Sequence, residues 1–370
     1  MAFDDRKSLM KEIETLRGGR RLVALCNFDR EVNPPIPAGV SLMFGENQKE
    51  PLFRVLKETL ESGQKLDLLL YTRGGDTNAV WPIACLLWEF DVDFEVLVPY
   101  RAHSSGTLLI LAARRIVMAP LAELSPIDPT TGNLFNPKDD DSKRQLGISV
   151  EDLTAYQEFL RKVFALEGRE AISDAQYALL QPHLLALTSM VHPLALGNVH
   201  RTLMQIKLLA KMLLKKHYGD DHDLESMTVS LTTSFHSHMH MIGRAEAQGI
   251  FGDDHVQFAG PELAGKMDQL LRQYEDDFAL RQPFFMNRYM ENDAEKEARL
   301  IGGCVESRTW GYLYETKARI RQYVAPPQGV QIQVPPGQVP PLIPGLPRKY
   351  EFEVLSQAWV RNKMPIGVTI

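Results

Sequence analysis

Short apolar runs alternate with helix-like segments over the first 120 residues. Four of the runs lack a strict alternation of apolar and polar positions, which is typical of strands buried on both faces: RLVALCNF (21–28), LDLLLYT (66–72), FEVLVPY (94–100) and RIVMAP (115–120). Helical patterns separate them at 51–63, 79–90 and 106–115, and an amphipathic helix over 1–19 precedes them. The pattern predicts an α/β fold with a mainly parallel sheet and right-handed crossovers.

The pattern changes after residue 127. A polar stretch at 130–149 predicts an exposed insertion, and helical periodicity follows at about 150–166 and 198–216. Beyond 260 we expect a helix at about 262–280, an alternating strand or hairpin over 306–324, a proline-rich extended stretch at 326–347 and one last strand. We therefore predict three units: a helix at 1–19, a main domain at 20–260, and a C-terminal helix with a β-rich extension at 261–370.

Composition narrows the class of protein. The 370 residues include 44% hydrophobic and 24% charged residues, and the net charge of −6 argues against a general nucleic-acid binder. Three widely spaced cysteines form no metal-ligand pattern and predict a reduced, cytoplasmic chain. The charged N-terminus lacks the apolar core of a secretory signal, and no run approaches the ~18–20 apolar residues of a membrane span.

Two strand-to-helix junctions carry candidate chemistry. YTRGGDT (71–77) places paired glycines after a strand, where the backbone can expose N–H groups to an oxyanion or phosphate, although a plain tight turn explains such a pair as well. AHSSG (102–106) follows the next strand and opens a helix, where a serine serves as a nucleophile or only as a helix cap. If the strands are neighbours, Gly75 and Ser104 lie side by side.

The segments TRGGDTNAVWPIACLL and AHSSGTLLILAARRIVMAPLAELSPIDP resemble the Clp/crotonase-fold serine peptidases, closest to the serine dehydrogenase proteinases, which are related to signal peptide peptidase A. The resemblance extends over roughly residues 10–255 and implies a Clp/crotonase-like sheet core. Its Ser-x-Gly pattern places the nucleophile at Ser104. The N–H groups of Gly75 and Ser105 would then form the oxyanion hole, with the Ser105 hydroxyl dispensable.

The sequence indicates the catalytic base less clearly than it indicates the nucleophile. Where Clp proteases carry a histidine, this chain reads SPIDP, so Asp128 is expected to orient a base or to be only a turn residue. His238 matches a histidine of this branch and is the first choice of base. His192 is an alternative that reads more readily as a capping or packing residue. Lys138 and Lys143, in the polar insertion, would supply a neutral amine if burial lowered their pKa.

We therefore predict a serine endopeptidase without a cofactor. We also expect no metal, because His236, His238 and His240 lack the further ligands of a zinc site. The resemblance implies a homo-oligomer, a trimer, hexamer or larger ring, acting on protein or peptide substrates, with a partner protein possible. Two alternatives remain: an inactive scaffold of the same fold, and a crotonase-type acyl-CoA enzyme.

Overall fold

A computed structural model describes residues 2–36, 39–127, 130–131, 134–139, 145–163, 173–218, 223–232, 240–324 and 347–362. The helices in these ranges are α1 (Ala2–Leu16), α2 (Lys49–Thr59), α3 (Val80–Phe90), α4 (Ser105–Ile110), α5 (Val150–Val163), α6 (Asp174–Met190), α7 (Pro193–Leu214), α8 (Leu224–Thr232), α9 (Arg244–Phe251), α10 (Pro261–Asp277) and α11 (Met286–Met290). Two 3₁₀ turns occupy Glu46–Gln48 and Thr77–Ala79.

The strands are β1 (Arg21–Asn27), β2 (Val32–Asn33), β3 (Leu66–Tyr71), β4 (Glu95–Val98), β5 (Arg101–Ala102), β6 (Arg115–Met118), β7 (Glu123–Leu124), β8 (Thr130–Thr131), β9 (Ile148–Ser149), β10 (Ile242–Gly243), β11 (Val256–Phe258), β12 (Phe284–Phe285), β13 (Glu295–Ser307), β14 (Gly311–Val324) and β15 (Arg348–Arg361).

One eight-stranded sheet organises the molecule, in the order β11-β6-β4-β3-β1-β13-β14-β15. The first five strands in this order are parallel, and β13, β14 and β15 continue the sheet antiparallel. The predicted α/β fold with a mainly parallel core is confirmed. The four apolar runs form β1, β3, β4 and β6, and β3 lies directly beside β4.

Burial on both faces explains why the core strands lack alternation. On β1, Val23 and Leu25 pack into the layer that holds α2, α3 and α4, whereas Leu22, Ala24 and Cys26 pack into the layer that holds α1 and α10. Every position of β3 is buried. A strand covered by helices on both sides needs apolar residues at successive positions, which is the pattern of its sequence.

The C-terminal strands are joined to the core by a buried polar cluster as well as by β1. Arg6 of α1 donates to both carboxylate oxygens of Glu306 on β13, at 2.9 and 3.0 Å, and Tyr274 of α10 donates its hydroxyl to the same carboxylate at 2.8 Å. Because these groups are almost fully buried, the pairing is needed to offset their desolvation. Whether residues 261–370 form a separate domain stays a prediction.

Several elements differ from the sequence expectations. The helix predicted at 106–115 ends at Ile110, because residues 111–113 close tighter turns with N–H bonds to carbonyls three residues back. Helices α6 and α8 and strand β13 were not predicted. The strand or hairpin expected at 306–324 is a hairpin, and its first strand, β13, begins earlier than expected, at Glu295.

Candidate active site

The two predicted junctions meet at the carboxyl ends of β3 and β4. Thr72 pairs with Ala102 in a short parallel bridge, in which the N–H of His103 donates to the Thr72 carbonyl at 3.0 Å. This bridge extends the contact between the two strands beyond their ends. It therefore holds the glycine loop of residues 72–76 against the serine turn of residues 102–106.

The glycine loop is held by Phe44 from its other side. The Phe44 N–H donates to the Gly74 carbonyl at 2.9 Å, and the Asp76 N–H donates to the Phe44 carbonyl at 2.8 Å. A side-chain carbon at Gly75 would lie 2.2 Å from the Phe44 carbonyl oxygen, and one at Gly74 would lie 2.7 Å from Cβ of Ser104. Both positions require glycine because backbone and the serine approach this closely.

Ser104 occupies a strained position before α4. Its φ of 50° and ψ of −112° are rarely adopted by a residue with a side chain, and such outliers cluster at functional turns. The side chain is half-buried rather than enclosed, and its hydroxyl makes no capping hydrogen bond to α4. The capping interpretation of Ser104 is therefore wrong, and the hydroxyl is left at the edge of the sheet beside Gly74.

Two backbone N–H groups beside Ser104 are uncommitted. Among the described residues, the N–H groups of Gly75 and Ser105 donate no hydrogen bond, whereas that of Gly74 donates to Thr72 Oγ1 at 3.0 Å. In the bridge to Phe44, the neighbours of Gly75 make the bonds and its own N–H is turned away. Ser105 is the first residue of α4, where free N–H groups favour an anion.

Ser125 and Thr107, which the sequence did not single out, hold the serine turn in place. Ser125 Oγ accepts the Ser104 N–H at 2.8 Å and donates to the Pro126 carbonyl at 3.1 Å. The Ser125 N–H donates to Thr107 Oγ1 at 3.1 Å, and that hydroxyl donates to the Ala102 carbonyl at 2.7 Å. Nothing in SPIDP indicates this role, because it depends on the parallel pairing of β5 with β7.

A network of charged side chains flanks the turn. Arg73 and Arg101 lie 2.5 and 3.7 Å from a carboxylate oxygen of Asp29, and Arg101 also bonds Glu123 at 3.0 Å. His103 Nε2 is 3.2 Å from Oε1 of Glu123, at an angle too poor for a regular hydrogen bond. Burial lowers the pKa of His103, although Glu123 opposes the shift, so the imidazole is neutral at pH 7.

The remaining candidate residues are placed as follows. Asp128, Lys143 and His238 lie outside the described residues. Lys138 is exposed in a bridge with Gln145. His192 is exposed and caps α7 by accepting the Leu194 N–H on Nδ1 at 3.1 Å, so the structure supports the capping interpretation.

Within the described ranges, no cluster of three or more His, Cys, Asp or Glu residues is arranged to hold a metal ion. His236 and His238 lie outside those ranges, and His240 pairs with Glu246 at 3.0 Å. No single described helix has the length and apolarity needed to cross a membrane. The α6–α7 pair, bent by 95°, meets that criterion only when its two helices are taken together.

Comparison with known proteins finds a family match for the N-terminal part of the chain. Residues 2–146 match the family of ClpP-like SDH-type serine proteinases. Two uncharacterised proteins of Methanocaldococcus jannaschii are similar: one is 31% identical over 34% of this chain and 42% of its own length, and the other is 37% identical over 24% and 30%. The chain thus spans less than half the length of these curated relatives. The predicted resemblance is confirmed over residues 2–146, a shorter stretch than the 10–255 expected.

Proposed function

Because residues 2–146 match the ClpP-like SDH-type serine proteinases, we propose that this chain is a serine endopeptidase with Ser104 as its nucleophile. The observation that carries the proposal is the strained Ser104 turn, with its hydroxyl partly exposed beside two uncommitted N–H groups. A nucleophile presented at a strand-to-helix turn next to free backbone donors is the arrangement that acyl transfer requires.

The reaction begins with attack of Ser104 Oγ on a peptide carbonyl carbon. The carbonyl oxygen takes the negative charge of the tetrahedral intermediate and receives hydrogen bonds from the Gly75 and Ser105 N–H groups. Each such donor stabilises the transition state by ~3–4 kcal/mol. Collapse of the intermediate expels the amine with the proton taken from Ser104, and water then hydrolyses the acyl-enzyme.

We assign the base to His238, with Asp128 orienting its imidazole. The described alternatives are less suited to the task. The Nδ1 lone pair of His192 is already used in capping α7, and Lys138 is exposed rather than buried beside Ser104. His103 faces Glu123 and belongs to the charged network beside the turn. Lys143 remains the other candidate.

Self-association through α6 is part of the proposal, with the chain acting in the cytoplasm. Residues 175–200 contain no Asp, Glu, Lys or Arg, and large apolar side chains are exposed along this stretch: Tyr177, Leu179, Leu184, Leu185, Met190 and Leu194. Apolar surface of this extent on a helix favours contact with a second protein surface. A homo-oligomer would cover it.

Labelling with a fluorophosphonate probe tests the nucleophile. We expect one covalent adduct on Ser104 in the parent protein, none in Ser104→Ala, and labelling retained in Ser105→Ala, the matched control one residue away. An inactive scaffold or an acyl-CoA enzyme predicts no adduct on Ser104, and that result would overturn the proposal. His238→Ala tests the base separately: unchanged peptide hydrolysis would remove His238 from the mechanism and leave Ser104 in place.

A further inference from the structure

A cavity of about 450 Å³ lies in the C-terminal part of the chain. Its walls come from the end of α10, from β12 and α11, and from the first half of β13, with Arg30 entering from the segment after β1. None of the residues that line it belongs to the Ser104 turn or the glycine loop. Apart from Arg30, it also lies outside the segment 2–146 that matches the peptidase family. The volume is that of a small-molecule pocket.

Cationic side chains outnumber carboxylates among the residues that line this cavity. Five cationic side chains line it against three carboxylates, those of Glu275, Asp276 and Glu291. Three of the cations have carboxylate partners: Arg281 is 2.6 Å from Asp276, Lys296 is 3.5 Å from Asp293, and Arg299 pairs with Glu315. Arg30 and Arg288 have no carboxylate within ion-pair distance in the described part of the chain.

Of these two arginines, Arg30 has the greater need of a counter-charge, because only 8% of its surface is exposed. Its guanidinium donates to the carbonyls of Ile301 at 3.2 Å and of Phe278 and Ala279 at the end of α10. These carbonyls satisfy N–H groups and offer the partial negative charge of a helix end, but no full counter-charge. Burial lowers the pKa of Arg30 to about 10, because the desolvation of the guanidinium is not offset by a carboxylate in the described part of the chain.

Apart from Gln282, the uncharged residues that line the cavity are apolar or aromatic. Phe284, Tyr289 and Leu300 contribute to its walls, and Arg288 stacks over the ring of Phe285 at 4.5 Å, which holds its guanidinium at the cavity. A guanidinium fork suits a carboxylate, and apolar walls suit a hydrocarbon body. We infer that this cavity binds a small organic anion, a carboxylate on an apolar body, with Arg30 and Arg288 as its counter-charges.

Three probes distinguish the parts of this inference, with binding followed by titration calorimetry on the full chain. The first is 3-phenylpropionate, the second is its uncharged amide, and the third is inorganic phosphate. We expect saturable one-to-one binding of the carboxylate and at least about tenfold weaker binding of the amide, which corresponds to one charged hydrogen bond. Phosphate, which lacks the apolar body, is expected to bind at least as weakly as the amide.

Two variants locate the site. Arg288→Gln is expected to weaken 3-phenylpropionate binding by about tenfold. Arg272→Gln, which alters an exposed arginine of α10 paired with Asp268, is the matched control and is expected to leave binding unchanged. Arg30→Lys keeps the charge and loses the fork, and it should also weaken binding, but the Arg288 variant suffices if Arg30→Lys does not fold. Absence of binding, equal binding of the amide, binding of phosphate as tight as that of the carboxylate, or no effect of Arg288→Gln overturns the inference. None of these results depends on peptidase activity.

Discussion

Ser125 is expected to control both the stability of the serine turn and the reactivity of Ser104. Ser125→Ala removes the acceptor of the Ser104 N–H, a 2.8 Å bond, and the donor to the Pro126 carbonyl. Ser125 is only 4% exposed, so water does not readily replace its hydroxyl. A buried donor left unsatisfied costs ~1–3 kcal/mol, and the lower end applies here because Ser104 itself is half-buried. We therefore expect the free energy of unfolding to fall by about 1 kcal/mol.

The effect on reactivity follows from the backbone strain at Ser104. A residue at φ 50° persists only where its surroundings hold it, and the Ser125 bond is one of the contacts that do so. We expect the loss of this hydrogen bond to let the turn relax and to raise the activation free energy of labelling by ~1.4 kcal/mol. Fluorophosphonate labelling would then slow about tenfold.

The assay compares labelling rates and guanidinium denaturation curves of the parent protein, Ser125→Ala and Ser189→Ala. Ser189 is an exposed serine whose hydroxyl donates to the Ala186 carbonyl of its own helix, so its replacement should change stability by less than ~0.5 kcal/mol. Parental labelling and stability in Ser125→Ala would refute the assignment of Ser125 as a positioning residue.

Three further predictions concern the same region. Gly75→Ala places a methyl group 2.2 Å from the Phe44 carbonyl oxygen, so it should abolish labelling and lower stability by ~1–3 kcal/mol in denaturant titrations; unchanged labelling contradicts the geometry of the loop. Ser105→Ala removes a fully buried hydroxyl that has no hydrogen-bond partner among the described residues, so we expect unchanged or slightly higher stability and labelling within about threefold of the parent. Burial lowers the pKa of His103 below its ordinary value of 6.5, so unfolding takes up a proton and stability falls as the pH drops below 6.5. His103→Gln should flatten that dependence in denaturation midpoints measured between about pH 5 and 7.5, and an unaltered slope counts against the buried, neutral imidazole.

The sequence by itself determined the parallel core. Four apolar runs without alternation are typical of strands covered on both faces, and the helical segments between them favour parallel pairing of these strands. The placement of GG and SSG after two such strands predicted that Gly75 and Ser104 would meet at one sheet edge if the strands were neighbours, and the pairing of β3 with β4 makes them neighbours. Local residue types carried this information, because strand burial and turn chemistry are properties of short segments.

Features that depend on contacts between residues far apart in the sequence were decided only by the tertiary structure. Strand β13 was not predicted because EKEARLIGGCVES begins with charged residues and contains paired glycines; its pairing with β1, which sets Cys304 opposite Cys26, makes it a strand. Ser125 has a role only because β7 pairs with β5. Arg30 reads in the sequence as one more surface arginine, and only the approach of α10 and β13 buries it at a cavity. Such contacts join residues far apart along the chain, and their energies have no counterpart in local sequence pattern.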